Sequence, residues 1–176
     1  MTKQLLQLRC KNNKKTLKIA VGSTLSEVFS VADIKMAYAP VCAKVNNRVV
    51  GMHYRLYNDQ DIELMGIDTD SGSRTYTRTL FFVCCKAIND IFPQAEVRID
   101  ISVSKGYFVD MRIGREVTAA DTEQVRRRME EIIAARIPIK RHMVPTEEAV
   151  RLFTAKGDMS KVKLLNGLGS LYTVYY

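Results

Sequence analysis

The chain has 176 residues, 47% of them hydrophobic and 26% charged, with a net charge of +8 and an isoelectric point near 9.4. This composition excludes a disordered chain, and the lack of an apolar run of about 18 residues excludes a spanning helix. The opening MTKQLLQLRCKNNKK turns charged too early for a secretory core segment, so a cytoplasmic location with no membrane partner and free thiols at the four cysteines is expected.

Residues 4–10 and 15–21 flank the turn-rich KNNK, a hairpin signal in which Asn12–Asn13 are able to take positive φ. Thr24 and Glu27 have capping-box spacing and start a short helix over 25–31. Residues 41–45 and 48–52 form a second hairpin around Asn46–Asn47, and 61–65 alternates as a closing strand. Together these describe a small mixed sheet with one helix packed across it.

Residues 66–72, GIDTDSG, form a polar connector and the expected domain boundary. Beyond it Leu80, Val83, Cys84, Ala87, Ile88 and Ile91 make one helical stripe, which ends at Pro93. Adjacent Cys84 and Cys85 lack redox spacing and point about 100° apart on a helix, so they are expected to be packing residues, as are Cys10 and Cys42. Val97, Ile99, Ile101 and Val103 alternate along a strand, with a turn at Ser104–Lys105–Gly106 and a partner strand over 107–113. Thr118 caps a second helix, with Asp121 at its third position. A third helix runs over 146–156 and stops at Gly157, and two strands, 161–165 and 171–176, are expected around the loop 166–170.

The candidate site residues are basic. Arg126, Arg127 and Arg128 splay around a helix, and the spacing of Arg126 to Glu130 reads as a solvated ion-paired face. The competing reading is phosphate or RNA contact shared with Arg136, Lys140 and Arg141. Lys14 and Lys15, with Lys11 and Lys18, pose the same choice at the first hairpin. His53 and His142 stand apart without ligands at metal spacing, and Gly167-Leu-Gly169 precedes no helix start, so neither a metal site nor a phosphate loop is expected.

The strand–helix–strand order up to residue 67, with its VNNRVV hairpin, resembles the TGS domain, a small β-grasp module. The series IFPQAEVRI, GYFVDM, VTAADTEQVRRRMEEIIAARIPIKRHMV and TEEAVRLFTAKGDMSKVKLL resembles the second additional domain of threonyl-tRNA synthetase, which follows a TGS domain there and hydrolyses serine from mischarged tRNA. The resemblance implies an α+β fold in two parts, a β-grasp domain over 1–67 and an editing-like domain over 68–176, incomplete at its C-terminal end.

In that family the first helix of the editing domain carries His-x-x-x-His; here the two positions fall on Arg78 and Phe82. Neither can ligate a metal or act as a general base near neutral pH. No catalytic, cofactor-binding or metal-binding residue is therefore expected in this chain. If the family's cleft persists, Arg78 is placed to receive an anion such as a nucleotide phosphate; the other reading pairs it with a surface carboxylate.

The domain order also resembles the N-terminal half of long uridine kinases of the Bacteroidetes group. This implies a non-catalytic regulatory, ligand-sensing or assembly region, partnered by a downstream P-loop kinase domain that would use ATP and Mg²⁺. No G-x-x-x-x-G-K-[ST] occurs in residues 1–176, so that chemistry would lie downstream. The alternative implied by the resemblance is a tRNA-binding or deacylating N-terminal region of a diverged threonyl-tRNA synthetase.

Overall fold

The structure, a computed structural model, describes residues 4–104 and 106–175. The chain divides into two compact units, Met1–Glu131 and Ile132–Tyr176, so the connector read as a domain boundary falls inside the first unit. Lys105 of the expected turn and Tyr176 of the expected last strand lie outside the described residues.

The first unit opens with β1 (Leu5–Cys10) and β2 (Lys15–Ala20), paired antiparallel from Leu5↔Ala20 to Cys10↔Lys15. Helix α1 (Leu25–Val31) starts in the expected capping box: Thr24 accepts from the Glu27 amide at 3.2 Å and the Glu27 carboxylate accepts from the Thr24 amide at 2.7 Å. Strands β3 (Cys42–Val45), β4 (Arg48–Gly51) and β5 (Gln60–Met65) complete a sheet of order β2-β1-β5-β3-β4, in which β1 and β5 run parallel and the other pairs antiparallel. Its core is the inward row Leu6, Leu8 and Cys10 of β1, with Ile62 and Leu64 of β5, closed by Leu25 and Val28 of α1.

Both hairpin turns follow from asparagine chemistry, in different ways. Asn46 and Asn47 take φ of 45° and 69°, the mirror-image turn that a two-residue hairpin favours. In the first hairpin, contrary to expectation, the positive φ of 56° falls on Lys14. Asn12 acts through its side chain instead, whose amide group accepts from the Leu64 amide at 2.8 Å and donates to the Leu64 carbonyl at 2.9 Å. The side chain thus fills the ladder position beyond the last β1–β5 backbone pair, where β5 would otherwise present an unpaired edge.

Helix α2 (Asp70–Ile91) begins within the connector, because Thr69 caps it by accepting from the Gly72 amide at 3.1 Å. At the bend Gly72 packs against the carbonyl of Gly66 so closely that a side chain on it would meet the carbonyl oxygen at 1.8 Å. The 66–72 segment is therefore a packing point, not a slack linker. Strands β6 (Glu96–Val103) and β7 (Gly106–Arg112) form a separate antiparallel hairpin. The uninterrupted alternation expected of β6 is broken by a register shift between Ile99 and Ile101, which leaves one residue of β6 without an opposite number. Helix α3 (Ala119–Ala134) opens with Thr118 and Asp121 capping one another.

In the second unit β8 (His142–Pro145) pairs antiparallel with β9 (Tyr172–Tyr175), and α4 (Thr146–Ala155) ends before Gly157 at φ 72°, as expected of that glycine. One expectation is overturned: residues 161–165 are not a strand but part of helix α5 (Met159–Gly167). Asp158 caps it, accepting from the Lys161 amide at 3.1 Å, and burying Val162 with Leu165 requires the three-residue spacing of a helix face. Strand β8, four residues long, carries no readable alternation in the sequence; its identity comes from its partner β9.

Candidate functional site

The positions where the resemblance puts a histidine pair lie on α2, and both are exposed there. Counting by four along this helix gives Arg74, Arg78, Phe82, Lys86 and Asp90, a row that winds slowly around the axis. Its lower end is tied down. Lys86 pairs with Asp90, and Asp90 also receives the Arg128 guanidinium of α3 at 2.9 and 3.0 Å. Hydrogen bonding from Lys86, then from Arg128, holds the Asp90 carboxyl below its usual range.

The upper end is open. Arg74 and Arg78 are exposed and form no ion pair among the described residues. The reading that Arg78 is spent on a surface carboxylate is thus not the arrangement found. Phe82 sits one turn below, 40% exposed. Two guanidinium groups one turn apart can take phosphate oxygens. They cannot hold a divalent metal: guanidinium has no lone pair to give and a phenyl ring no donor atom.

The threonines of this helix do less than their number suggests. Thr75 donates its hydroxyl to the Ser71 carbonyl at 2.8 Å and Thr79 to the Thr75 carbonyl at 3.1 Å, so their protons are already engaged. On the neighbouring face Phe81 meets Tyr107 of β7 edge-to-face, with ring centroids 4.7 Å apart, and this anchors the hairpin to the helix. Cys84 and Cys85 are half-buried, and burial, reinforced by Cys85, pushes the Cys84 thiol up, away from nucleophilic thiolate.

The other candidates separate into two groups. Arg126 pairs with Glu123 at 2.6 Å and with Glu130, while Arg128 pairs with Asp90 and with Glu131 at 2.9 Å, the ion-paired face that the spacing suggests. Arg127, Lys14 and Lys15 form no ion pair among the described residues. Lys140 and Arg141 lie in the second unit, exposed. His53 and His142 are both exposed, and among the described residues no group of three or more His, Cys, Asp or Glu stands together as a metal site. Gly167 ends α5 and Gly169 sits in the turn to β9, so this glycine pair connects a helix to a strand.

Sequence reasoning missed Arg74. Its signal is its position four residues before Arg78 in the same helix, which places the two side chains one turn apart.

No protein-family model matches the chain. It is similar to the threonine–tRNA ligase of Desulforamulus reducens, 30% identical over 149 residues that make up 85% of this chain and 24% of that protein. It is 28% identical over 152 residues to the threonine–tRNA ligase of Pelobacter propionicus, covering 86% of this chain and 24% of that protein. The corresponding ligase of Aromatoleum aromaticum is 28% identical over 142 residues, 81% of this chain and 22% of that protein. The chain spans about a quarter of the length of these relatives. They support the synthetase side of the resemblance and give no support to the link with nucleoside kinases. No helix among the described residues is long and apolar enough to cross a membrane.

Proposed function

We propose that this chain is an RNA-binding N-terminal region of the threonyl-tRNA synthetase type, one that holds the acceptor end of tRNA without hydrolysing its ester. The observation that carries this reading is the similarity to threonine–tRNA ligases along more than four-fifths of the chain. The sheet order β2-β1-β5-β3-β4 with α1 against it supports a β-grasp assignment of the TGS kind for residues 1–67, and residues 68–176 are the proposed editing-like part. In this reading Arg74 and Arg78 take phosphates of the acceptor end. Hydrolysis fails for want of a base: a guanidinium remains protonated at physiological pH and the phenyl ring accepts no proton.

The test is binding of an acceptor-stem minihelix carrying a single-stranded CCA end, with release of serine from seryl-tRNA followed in parallel. Salt-dependent binding, weakened by Arg74→Gln with Arg78→Gln and accompanied by serine release no faster than without protein, is the expected result. Absence of binding, or serine release above the uncatalysed rate, overturns it.

A second reading rests on the resemblance of the domain order to long uridine kinases, and the replacement of both imidazole positions by Arg78 and Phe82 is compatible with it as with the first. Here the chain is a non-catalytic regulatory, sensing or assembly region of a cytoplasmic uridine kinase, whose P-loop, ATP and Mg²⁺ belong to a downstream domain. The sequence beyond Tyr176 tests it: absence of a P-loop in the following hundred or so residues ends this reading.

A further inference from the structure

The first hairpin gathers more positive charge than its own sequence shows. Lys11, Lys14 and Lys15 lie at or beside its turn, all exposed, and the Asn13 side chain donates to the Asp33 carbonyl at 3.3 Å. That bond sets the backbone of Asp33 against the turn, and the exposed Lys35 follows two residues further on. Ile34 between them is buried in the core, so the segment is fixed from below. Asp33 is the carboxylate it brings along, and none of these lysines forms an ion pair with it or with any other described carboxylate.

The turn beneath the lysines is held on several sides. Asn12 bridges both backbone groups of Leu64, the Lys11 amide donates to the Ile62 carbonyl at 2.9 Å, and the Asn13 side chain accepts from the Lys15 amide at 3.1 Å. A rigid base presenting unquenched ammonium groups loses less order on meeting a polyanion than a floppy one would. The composition of the turn also decides which polyanion. KNNKK and DIK contribute no aromatic ring for an unstacked base to lie on, and compact ammonium charges suit phosphates.

We infer that the β1–β2 turn, with Lys35, is a contact surface for the phosphate backbone of duplex RNA, separate from the Arg74–Arg78–Phe82 row. This rests on the RNA-binding reading above and deepens it, by assigning the double-stranded part of the ligand to the first sheet.

The experiment compares two probes, the acceptor-stem minihelix with its CCA end and the same stem as a blunt duplex. Both are measured over a range of salt with the wild type and with Lys11→Gln, Lys14→Gln, Lys15→Gln and Lys35→Gln combined. A charge-matched control neutralises Arg151, Lys156, Lys161 and Lys163, none of them among the candidate RNA contacts, and circular dichroism confirms that each variant is folded. Each lost phosphate contact lowers the slope of log K against log salt by roughly 0.9, so the hairpin variant is expected to lose about 2–3 for both probes while the control loses little. An unchanged slope in the hairpin variant, or an equal loss in the control, overturns the inference and leaves the acceptor-end reading standing. Binding of the blunt duplex through these lysines without preference for the CCA end upholds the inference while the acceptor-end reading fails. Failure of the wild type to bind either probe overturns both.

Discussion

Replacing Gly72 by alanine tests whether α2 is locked to the first sheet at its root. Helix propensity alone favours alanine over glycine by about 1 kcal/mol in a helix interior. The surroundings of Gly72 reverse that sign: an added methyl carbon would stand 1.8 Å from the Gly66 carbonyl oxygen and 2.6 Å from its carbonyl carbon. The obstacle is backbone, and Gly66 has little room to retreat, since its own Cβ position is 3.2 Å from the Tyr38 carbonyl oxygen and 2.6 Å from the Asp68 carboxylate. Moving the helix away loses the Thr69 cap, worth about 1 kcal/mol, and opening a packed backbone contact costs about 1–3 kcal/mol more. After subtracting the propensity gain, the net loss is about 1–3 kcal/mol, a drop of about 1 M in the urea midpoint. Gly167→Ala is the internal control, because Gly167 also lies in a helix and its Cβ position meets nothing within 4 Å. It is expected to be neutral or to stabilise by roughly a few tenths of a kcal/mol. Denaturation curves for both variants, followed by far-ultraviolet circular dichroism, decide the matter: if Gly72→Ala raises the midpoint as Gly167→Ala does, the close approach at Gly66 does not hold the helix.

Three further outcomes follow from particular contacts. Asn12→Ala leaves the Leu64 amide and carbonyl without their protein partners and is expected to lower stability by about 1–3 kcal/mol, read as a shift in unfolding midpoint. Asp121 receives Arg115 through two bonds of 2.7 Å, together with the Thr118 amide and hydroxyl, and Arg115 first, then Thr118, holds its carboxyl far below the usual range. Because its folded pKa is depressed, its contribution is present in full above the unfolded value of about 4 and is lost as pH falls toward the folded one. Asp121→Asn should therefore be destabilised at neutral pH and lose less than wild type below pH of about 4, in unfolding curves recorded across that range. Arg78→His with Phe82→His places two imidazoles one turn apart on an exposed stretch of α2; it is expected to gain Zn²⁺ binding by calorimetry over the wild type, and no gain would mean that the two side chains do not share a face.

The outline of the first sheet is legible in the sequence because its signals are local. Thr24 and Glu27 are three residues apart, and Asn46–Asn47 suffices for a mirror-image turn, so neither needs the rest of the chain. The departures share a cause. The turn signal at Asn12 concerns its backbone, whereas its side chain serves a strand 52 residues away, and that partner is not visible from the turn. Residues 161–165 alternate well enough to suggest a strand, yet Asp158 at the cap and the joint burial of Val162 and Leu165 make them a helix. Of the candidate site, Arg78 and Phe82 are placed by resemblance, while the distinction between spent and available cations requires the ion pairs. Arg126 and Arg128 are no weaker candidates than Arg78 by residue type; they differ in having carboxylates within reach.

By itself the sequence determined the hairpins of the first sheet, the caps at Thr24 and Thr118, the breaks at Pro93 and Gly157 and the absence of imidazoles at two positions, because each depends on residue type within a few neighbours. Only the tertiary structure decided which charges are ion-paired, that Gly66 and Gly72 make the connector a close contact, and that the Asp33 carbonyl meets the Asn13 side chain of the first turn. Those depend on how far apart in space two groups lie, and spacing along a chain fixes such distances only within a single helix or hairpin.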